Sequence, residues 1–286
     1  MTTHQWNAFC AFKNEFKAQI QAWNSDLLHS GFNQILKEEQ KRLAYKDGVP
    51  PYPIDTTLVY NKALDEITDD DDIKLIIIGD NPGKDEQRAE NRRYLVGHAG
   101  KIAEGFFRRN PELGIDFRKN VIILNKTPLH TAKTKELKAL TRTSKNDTPK
   151  MAQAREYFAK LLLDSQVWMA TRTAKLHSNL NKDAKEHIHC QLWLVGYSEL
   201  KKKGIFLPYA DVLTELYSLT SNEQDLQDTL CKSKIYCHLA ESVFVFQHFS
   251  MNRFLIDIRA HSQNSLNLQE NIEAVGRMRR KQILSF

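Results

Sequence analysis

The sequence predicts an α/β fold with a central parallel sheet flanked by helices on both faces. Four short, almost wholly apolar runs are typical of strands buried on both faces. These runs are Leu75 to Ile78, Val121 to Leu124, Leu192 to Val195 and Val243 to Phe246. The segments between them have mostly helical periodicity, most clearly at Ala99 to Arg109 and Met151 to Leu163. Strands that alternate with helices along one chain indicate a parallel sheet.

The chain divides into three parts by pattern. Residues 1–68 form a helical segment packed on the core, because apolar residues recur there at steps of three and four. The stripe of the first helix is Trp6, Phe9, Phe12, Phe16, Ile20, Trp23 and Leu27, and a second helical stretch is expected over Leu58 to Ile67. Residues 69–262 form the α/β core, with a helical insertion at about 131–189. Residues 263–286 form a basic helix or tail.

Composition excludes several classes of protein. The chain has 286 residues, of which 41% are hydrophobic, with only 11 Gly and 8 Pro, which argues against a disordered or collagen-like chain. No apolar run approaches the ~20 residues that span a bilayer, and Met1 to Asn14 has no secretory signal pattern. The four cysteines form no C-x-x-C pair, as expected in a reducing cytosol. We expect a cytoplasmic, nucleoid-associated monomer with no membrane contact and no metal or cofactor.

The formal net charge is +6, from 41 Lys+Arg and 35 Asp+Glu. Basic residues cluster at Thr131 to Lys150, at Lys201 to Lys203 and at Arg277 to Lys281, away from the acidic run Asp69 to Asp72. Such segregation is compatible with a phosphate-binding face. For any single cluster taken alone, a solvated surface run is the better explanation.

Polar residues follow three of the apolar runs, at the edge where ligands bind in parallel sheets. Gly79-Asp80-Asn81-Pro82-Gly83 follows the first run, Asn125 closes the second, and Gln247-His248-Phe249-Ser250 follows the last. A carboxamide such as Asn125 suits the hydrogen-bonding edge of a pyrimidine, and a neutral imidazole at His248 suits an oxygen that becomes negative. Taken singly, each motif is equally compatible with a turn or a structural side chain. His187 and His189 alternate on one strand face, but no further ligands at suitable spacing indicate a metal site.

Together these motifs resemble those of the uracil-DNA glycosylase superfamily. Gly79 to Gly83 is similar to its first motif, and Leu95-Val96-Gly97-His98-Ala99-Gly100-Lys101 to a segment of its thermophile-type branch. Val121 to Leu129 resembles the strand that delivers the base-recognising Asn in the single-strand-selective branch. Val245 to Ser250 resembles the closing motif, and the likeness covers roughly Leu75 to Arg253.

The resemblance implies a three-layer sandwich and a monofunctional DNA glycosylase, a hydrolase that removes uracil or a related deaminated base during base excision repair after base flipping. Asp80, Asn81 and His248 would be catalytic, with either Asp80 or Asn81 activating water. The implied base-binding residues are Gly79, Tyr94, Leu95 and Asn125. The implied DNA-binding residues are Lys101, Lys133, Lys135, Ser250, Met251, Asn252 and Arg253.

The sequence also departs from the family pattern. Phe249 replaces the usual proline of the closing motif, so the DNA-inserting loop Phe249 to Arg253 is expected to differ in shape. Leu95 stands where an aromatic residue stacks on the base, so either Tyr94 substitutes for it or stacking is weaker. The cluster-binding cysteines of the thermophile-type branch have no counterpart, and no lysine occupies a position expected to form a Schiff base. Two alternatives therefore stay open: a nucleic-acid-binding protein that kept the fold and lost catalysis, and an α/β enzyme acting on free nucleosides or nucleotides.

Overall fold

The computed structural model describes residues 1–182, 190–218 and 239–286. Its four strands form one parallel sheet in the order β2-β1-β3-β4. The strands are β1 (Leu75–Gly79), β2 (Val121–Asn125), β3 (Gln191–Val195) and β4 (Val243–Phe246). The predicted α/β class and all four predicted strands are confirmed, each boundary within one residue.

Nine α-helices lie within the described ranges. Their bounds are α1 (Thr3–His29), α2 (Asn33–Lys46), α3 (His98–Arg109), α4 (Lys135–Thr141), α5 (Pro149–Leu180), α6 (Tyr197–Leu200), α7 (Leu207–Ser218), α8 (Arg253–His261) and α9 (Leu268–Lys281). Thr2 and Asn267 begin α1 and α9 with capping boxes, in which each side chain accepts from a backbone N–H of the first turn. None of these helices is long and apolar enough to cross a membrane.

Alternate side chains of each strand point to opposite faces of the sheet, and each face has its own apolar core. Ile76 and Ile78 of β1 belong to the cluster formed with α1, α2, α5 and α7. Leu75 and Ile77 belong to the cluster formed with α3, α8 and α9. The sheet is thus the middle layer of three, which explains why its strands are apolar throughout instead of alternating.

Two segments differ from the sequence-based expectation. The stretch Leu58 to Ile67 contains only a 3-10 turn, Lys62–Asp65. Leu58 forms an antiparallel bridge with Leu129, and the Asn61 amide donates to the carbonyl of Ile123, so tertiary contacts hold this segment extended.

The helix expected at Met151 to Leu163 continues to Leu180 as α5, because its inner residues pack in the same cluster as α1 and the sheet. His187 and His189 lie outside the described residues.

Candidate active site at the carboxyl edge of the sheet

The ends of all four strands border one cavity of about 490 Å³. Asp80 and Asn81 follow β1, Asn125 ends β2, Gly196 follows β3 and His248 follows β4, and all five line it. The parallel order of the strands brings these residues together although up to 168 positions separate them along the chain. The juxtaposition predicted from the sequence is therefore present.

Asp80 is held by a buried ion pair that the sequence did not reveal. Its Oδ1 atom lies 2.6 Å from the Nζ atom of Lys126, which is fully buried. The same ammonium donates to the backbone carbonyls of Val195 and Gly79, so the ends of three strands meet at this group. Burial lowers the pKa of Lys126, and the adjacent Asp80 carboxylate raises it again in part.

The expectation that no lysine stands at the site needs correction, because Lys126 lies directly beside Asp80. Its three ammonium hydrogens match three acceptors: Asp80 and the carbonyls of Val195 and Gly79. An ammonium so occupied, with no exposed surface, is not available to attack a sugar carbon. Lys126 is therefore not suited to form a Schiff base with a substrate.

Gly196 leaves the space that the Asp80 carboxylate occupies. Its φ of +96° lies in the left-handed region, and a Cβ atom at this position would lie only 2.2 Å from Oδ1 of Asp80. The second carboxylate oxygen, Oδ2, accepts a 3.3 Å hydrogen bond from the hydroxyl of Thr134. Asp80 therefore has one oxygen bound in the interior and one on the side of the Thr131–Thr134 loop, which lines the cavity.

The Asn81 amide is turned toward the loop after β2. Its Nδ2 atom donates to Oγ1 of Thr131 at 2.9 Å, with the carbonyls of Leu129 and Thr131 at 3.4 Å. These contacts fix the orientation of the amide, since only Nδ2 can donate to oxygen acceptors. The carbonyl oxygen Oδ1 is then the atom of Asn81 that can accept a hydrogen bond from water or from a ligand.

Asn125 presents a donor without a partner. The residue is 2% exposed, and its buried Nδ2 atom has no hydrogen-bond partner among the described residues. Its Oδ1 atom packs against Gly79, where a Cβ atom would lie 2.4 Å away. A buried amide nitrogen left unsatisfied at a cavity wall is suited to bind a carbonyl oxygen of a ligand.

Glu86 is a cavity residue that sequence reasoning missed. Its Oε1 atom accepts from the backbone N–H of Leu95 at 3.0 Å, and Oε2 accepts from Gly83 at 3.3 Å. Burial raises the pKa of Glu86 to about 7, against the lowering effect of these two backbone donors. Asn125 lies beside the Glu86 carboxyl and lowers this pKa slightly, without a hydrogen bond of normal geometry.

His248 is held as a neutral donor. Its Nδ1 atom accepts from the backbone N–H of Ser250 at 3.1 Å and lies 2.8 Å from the Ser250 hydroxyl. An Nδ1 atom that accepts leaves the proton of the neutral ring on Nε2. Burial lowers the pKa of His248, with a smaller opposing effect from Asp80. The ring can therefore donate from Nε2 at neutral pH, as the sequence predicted.

The loop after β4 has an unusual backbone. Met251 and Asn252 are consecutive non-glycine residues with φ of 55° and 56°, a conformation that costs energy for residues with a Cβ atom. Phe249, at the position of the expected proline, is fully buried and packs 4.8 Å from the ring of Phe254. Met251 is 64% exposed and lines the cavity together with Ser250 and Arg253.

Tyr94 does not reach the cavity. It is fully buried, and its hydroxyl donates to the backbone carbonyl of Val59, so the suggestion that Tyr94 stacks on a base is wrong. Leu95 does line the cavity and is 4% exposed. The residues that line the cavity within the described ranges include no Phe, Tyr or Trp.

The expected basic residues are only partly at the cavity. Lys133 lines it, as does Arg253, whereas Lys101 is an exposed residue of α3 that does not. Lys135 is bound to Asp47 at 2.6 Å. The arginines of α9 are paired with acidic residues: Arg277 with Glu273, Arg279 with Asp257 and Arg280 with Glu241. The C-terminal cluster is therefore largely neutralised within the fold.

The described residues contain no group of three or more His, Cys, Asp or Glu side chains that could hold a metal ion. No family model, curated protein or solved structure significantly matches this chain.

Proposed function

We propose that this protein is a monofunctional DNA glycosylase that hydrolyses the N-glycosidic bond of uracil or a related deaminated base. The observation that carries the proposal is the convergence of Asp80, Asn125 and His248, from three strand ends, on one cavity. An anion, an unpaired amide donor and a neutral imidazole donor are suited to stabilise the charges that develop on the sugar and on the base as this bond breaks. The resemblance of the strand-end motifs to those of uracil-DNA glycosylases supports the same reaction.

The reaction assigns a separate task to each group. A base must first leave the helix and enter the cavity, at a cost of a few kcal/mol. As the bond to C1′ lengthens, positive charge grows on the sugar and negative charge on the base. The Asp80 carboxylate stabilises the sugar cation and orients water, with the Asn81 oxygen as a second acceptor. His248 donates from Nε2 to the base O2, and Asn125 donates from Nδ2 to O4.

Electrostatics at the rim support a polyanionic substrate. Arg253 and Lys133 are exposed at the cavity mouth, where they can contact phosphates on either side of an extruded nucleotide. Met251 is exposed on the strained loop beside them and is suited to fill the gap that the extruded base leaves.

Two observations favour the two alternative functions, one each. The cavity offers no aromatic ring among its described residues, and stacking on an aromatic side chain is worth about 1–3 kcal/mol per base. Excision depends on holding an extruded base, whereas a binding protein that contacts only the phosphates does not depend on this stacking. The pairing of the α9 arginines also leaves fewer free cations, which favours an enzyme acting on free nucleosides.

One experiment separates these functions. The purified protein is incubated with single- and double-stranded oligonucleotides containing uracil, hypoxanthine or xanthine, and then with alkali, which cleaves at abasic sites. We expect cleavage only after alkali, abolished or strongly reduced in Asp80→Ala, Asn81→Ala and His248→Ala. Tight DNA binding without cleavage indicates the binding protein, and release of base from free deoxyuridine alone indicates the nucleoside enzyme.

A further inference from the structure

The fully buried Lys126 lies below the floor of the cavity and does not line it. It is therefore outside the set of groups that can touch a substrate. A buried ammonium is costly unless it is paired, because removing an ion from water costs several kcal/mol even after relaxation. A neutral side chain at this position would avoid that cost.

The contacts of Lys126 show what its charge does in the fold. Its ammonium binds the Asp80 carboxylate and two backbone carbonyls that end the neighbouring strands, and its Nζ atom lies 5.0 Å from the centre of the Phe206 ring. All four of these partners are buried residues. Only Oδ1 of Asp80 is bound in this way, so the carboxylate is rotated with Oδ2 on the side of Thr134, a cavity-lining residue.

We propose that Lys126 is a positioning residue that supplies the counter-charge of the Asp80 carboxylate and fixes which of its oxygens faces the reacting sugar; this inference rests on the proposed glycosylase function. Asp80 itself is 9% exposed, so without the ammonium its charge would be buried with no opposite charge beside it. Protonation would then be the less costly way to keep this carboxyl in the interior. A protonated Asp80 neither stabilises a sugar cation nor accepts a proton from water.

Other charged groups face this pair and define its pH behaviour. Glu199, which lies on α6, acts on Lys126 through its charge. His248 lies after the end of β4, and the charges of Asp80 and Lys126 both act on its ring. Arg253 at the start of α8 acts on His248. None of these groups forms a hydrogen bond or an ion pair with the Lys126 ammonium among the described residues, so Asp80 is its principal counter-charge.

The test compares Lys126→Met with Lys126→Gln. Methionine keeps most of the volume and removes the charge, whereas glutamine retains an N–H donor for Asp80 and also removes the charge. Circular dichroism and thermal unfolding first establish that each variant folds. Lys175→Met is the matched control, since Lys175 is exposed on α5. Lys175 lies two residues before His177, whose ring contacts the carbonyl of Cys190 just before β3 begins. This edge of the sheet, where the strands begin, is opposite the edge where they end and where the cavity lies.

We expect both variants to excise uracil at pH 7 about 100-fold more slowly than the wild type, with the control unchanged. The acid limb of the plot of single-turnover rate against pH should shift upward in both variants, so that part of the loss at pH 7 is recovered as the pH is raised. If both single variants fail to fold, a folded double variant Lys126→Met/Asp80→Asn supports the pairing, because it buries no unpaired charge.

Two results would overturn the inference while leaving the glycosylase function intact. One is a pH-independent loss of rate in both variants, which indicates a purely structural lysine. The other is full rescue by Lys126→Gln, which indicates that a hydrogen bond without charge is sufficient. A folded wild-type protein that excises no base from any of the oligonucleotides removes both proposals.

Discussion

Gly196→Ala tests the close contact that shapes the site. The substitution adds one methyl group, and the new Cβ atom would lie 2.2 Å from Oδ1 and 2.9 Å from Cγ of Asp80. Lys126 and Thr134 hold the carboxylate, so it cannot rotate away freely. Either the carboxylate or the backbone after β3 has to move by roughly 1 Å to restore a normal van der Waals separation.

Two costs contribute to the expected loss of stability. A Cβ atom on a left-handed backbone costs about 1–2 kcal/mol, and overpacking against a fixed group adds about 1–3 kcal/mol. Gly31→Ala is the matched control, because Gly31 has a φ of +74° and a Cβ atom there would meet no atom within 4 Å. The control should show the backbone cost alone, and the difference between the two variants measures the contact with Asp80.

Urea unfolding followed by circular dichroism gives both free energies. We expect Gly196→Ala to lose about 2–5 kcal/mol and Gly31→Ala about 1–2 kcal/mol. Uracil excision by Gly196→Ala should also fall by about 100-fold, since a 1 Å displacement of a reacting group costs that much. Equal losses of stability in the two variants would refute the reasoning, because the carboxylate would then not occupy the space beside Gly196.

Three further predictions concern charge and recognition. Burial raises the pKa of Glu86 from 4.5 to about 7 in the fold, so the folded state favours the protonated carboxyl group. The free energy of unfolding of the wild type therefore falls as pH rises from 4.5 through 7, by up to about 3 kcal/mol. Glu86→Gln should remove this fall, as measured by urea unfolding at pH 5 and at pH 8. If the free energies of unfolding of the two proteins differ by the same amount at both pH values, the prediction is wrong. Arg253→Gln should weaken DNA binding and reduce the slope of log K against log salt by about 1, measured by fluorescence anisotropy, and an unchanged slope would exclude a phosphate contact. Asn125→Asp places an acceptor where Nδ2 now donates, and should shift excision away from uracil toward bases that offer a donor, such as cytosine; an unchanged preference for uracil would mean that Nδ2 does not read O4.

The sheet could be predicted because strands buried on both faces need apolar residues at every position. β1 to β4 therefore appear in the sequence as continuous runs with clear ends. The helix predicted around Leu58 was wrong. The hydrophobic pattern of this segment is compatible with a helix, but its observed conformation depends on contacts with Leu129 and Ile123, about 60–70 residues away. A local pattern carries no information on such partners.

The site was partly predictable for a related reason. Asp80, Asn125 and His248 stand immediately after strands, and in a parallel sheet that position alone brings them to one edge. Lys126 was missed because a lysine after a strand is usually exposed, and its burial depends on Asp80 being opposite. Glu86 was missed because it lies in a polar run that is typical of a solvated turn, whereas in the fold it is buried and accepts from the backbone N–H of Leu95, nine residues away.

In the proposed reaction, groups from separate strand ends act together on one glycosidic bond. Single-turnover excision of uracil from a short oligonucleotide at pH 7.5 tests it most directly, comparing the wild type with His248→Ala, Asn125→Ala and the remote control Lys175→Met. We expect excision by the wild type and the control, with each of the two site variants slower by about 100-fold or more. Excision that is equally fast in all four proteins, or absent from the folded wild type, would contradict it.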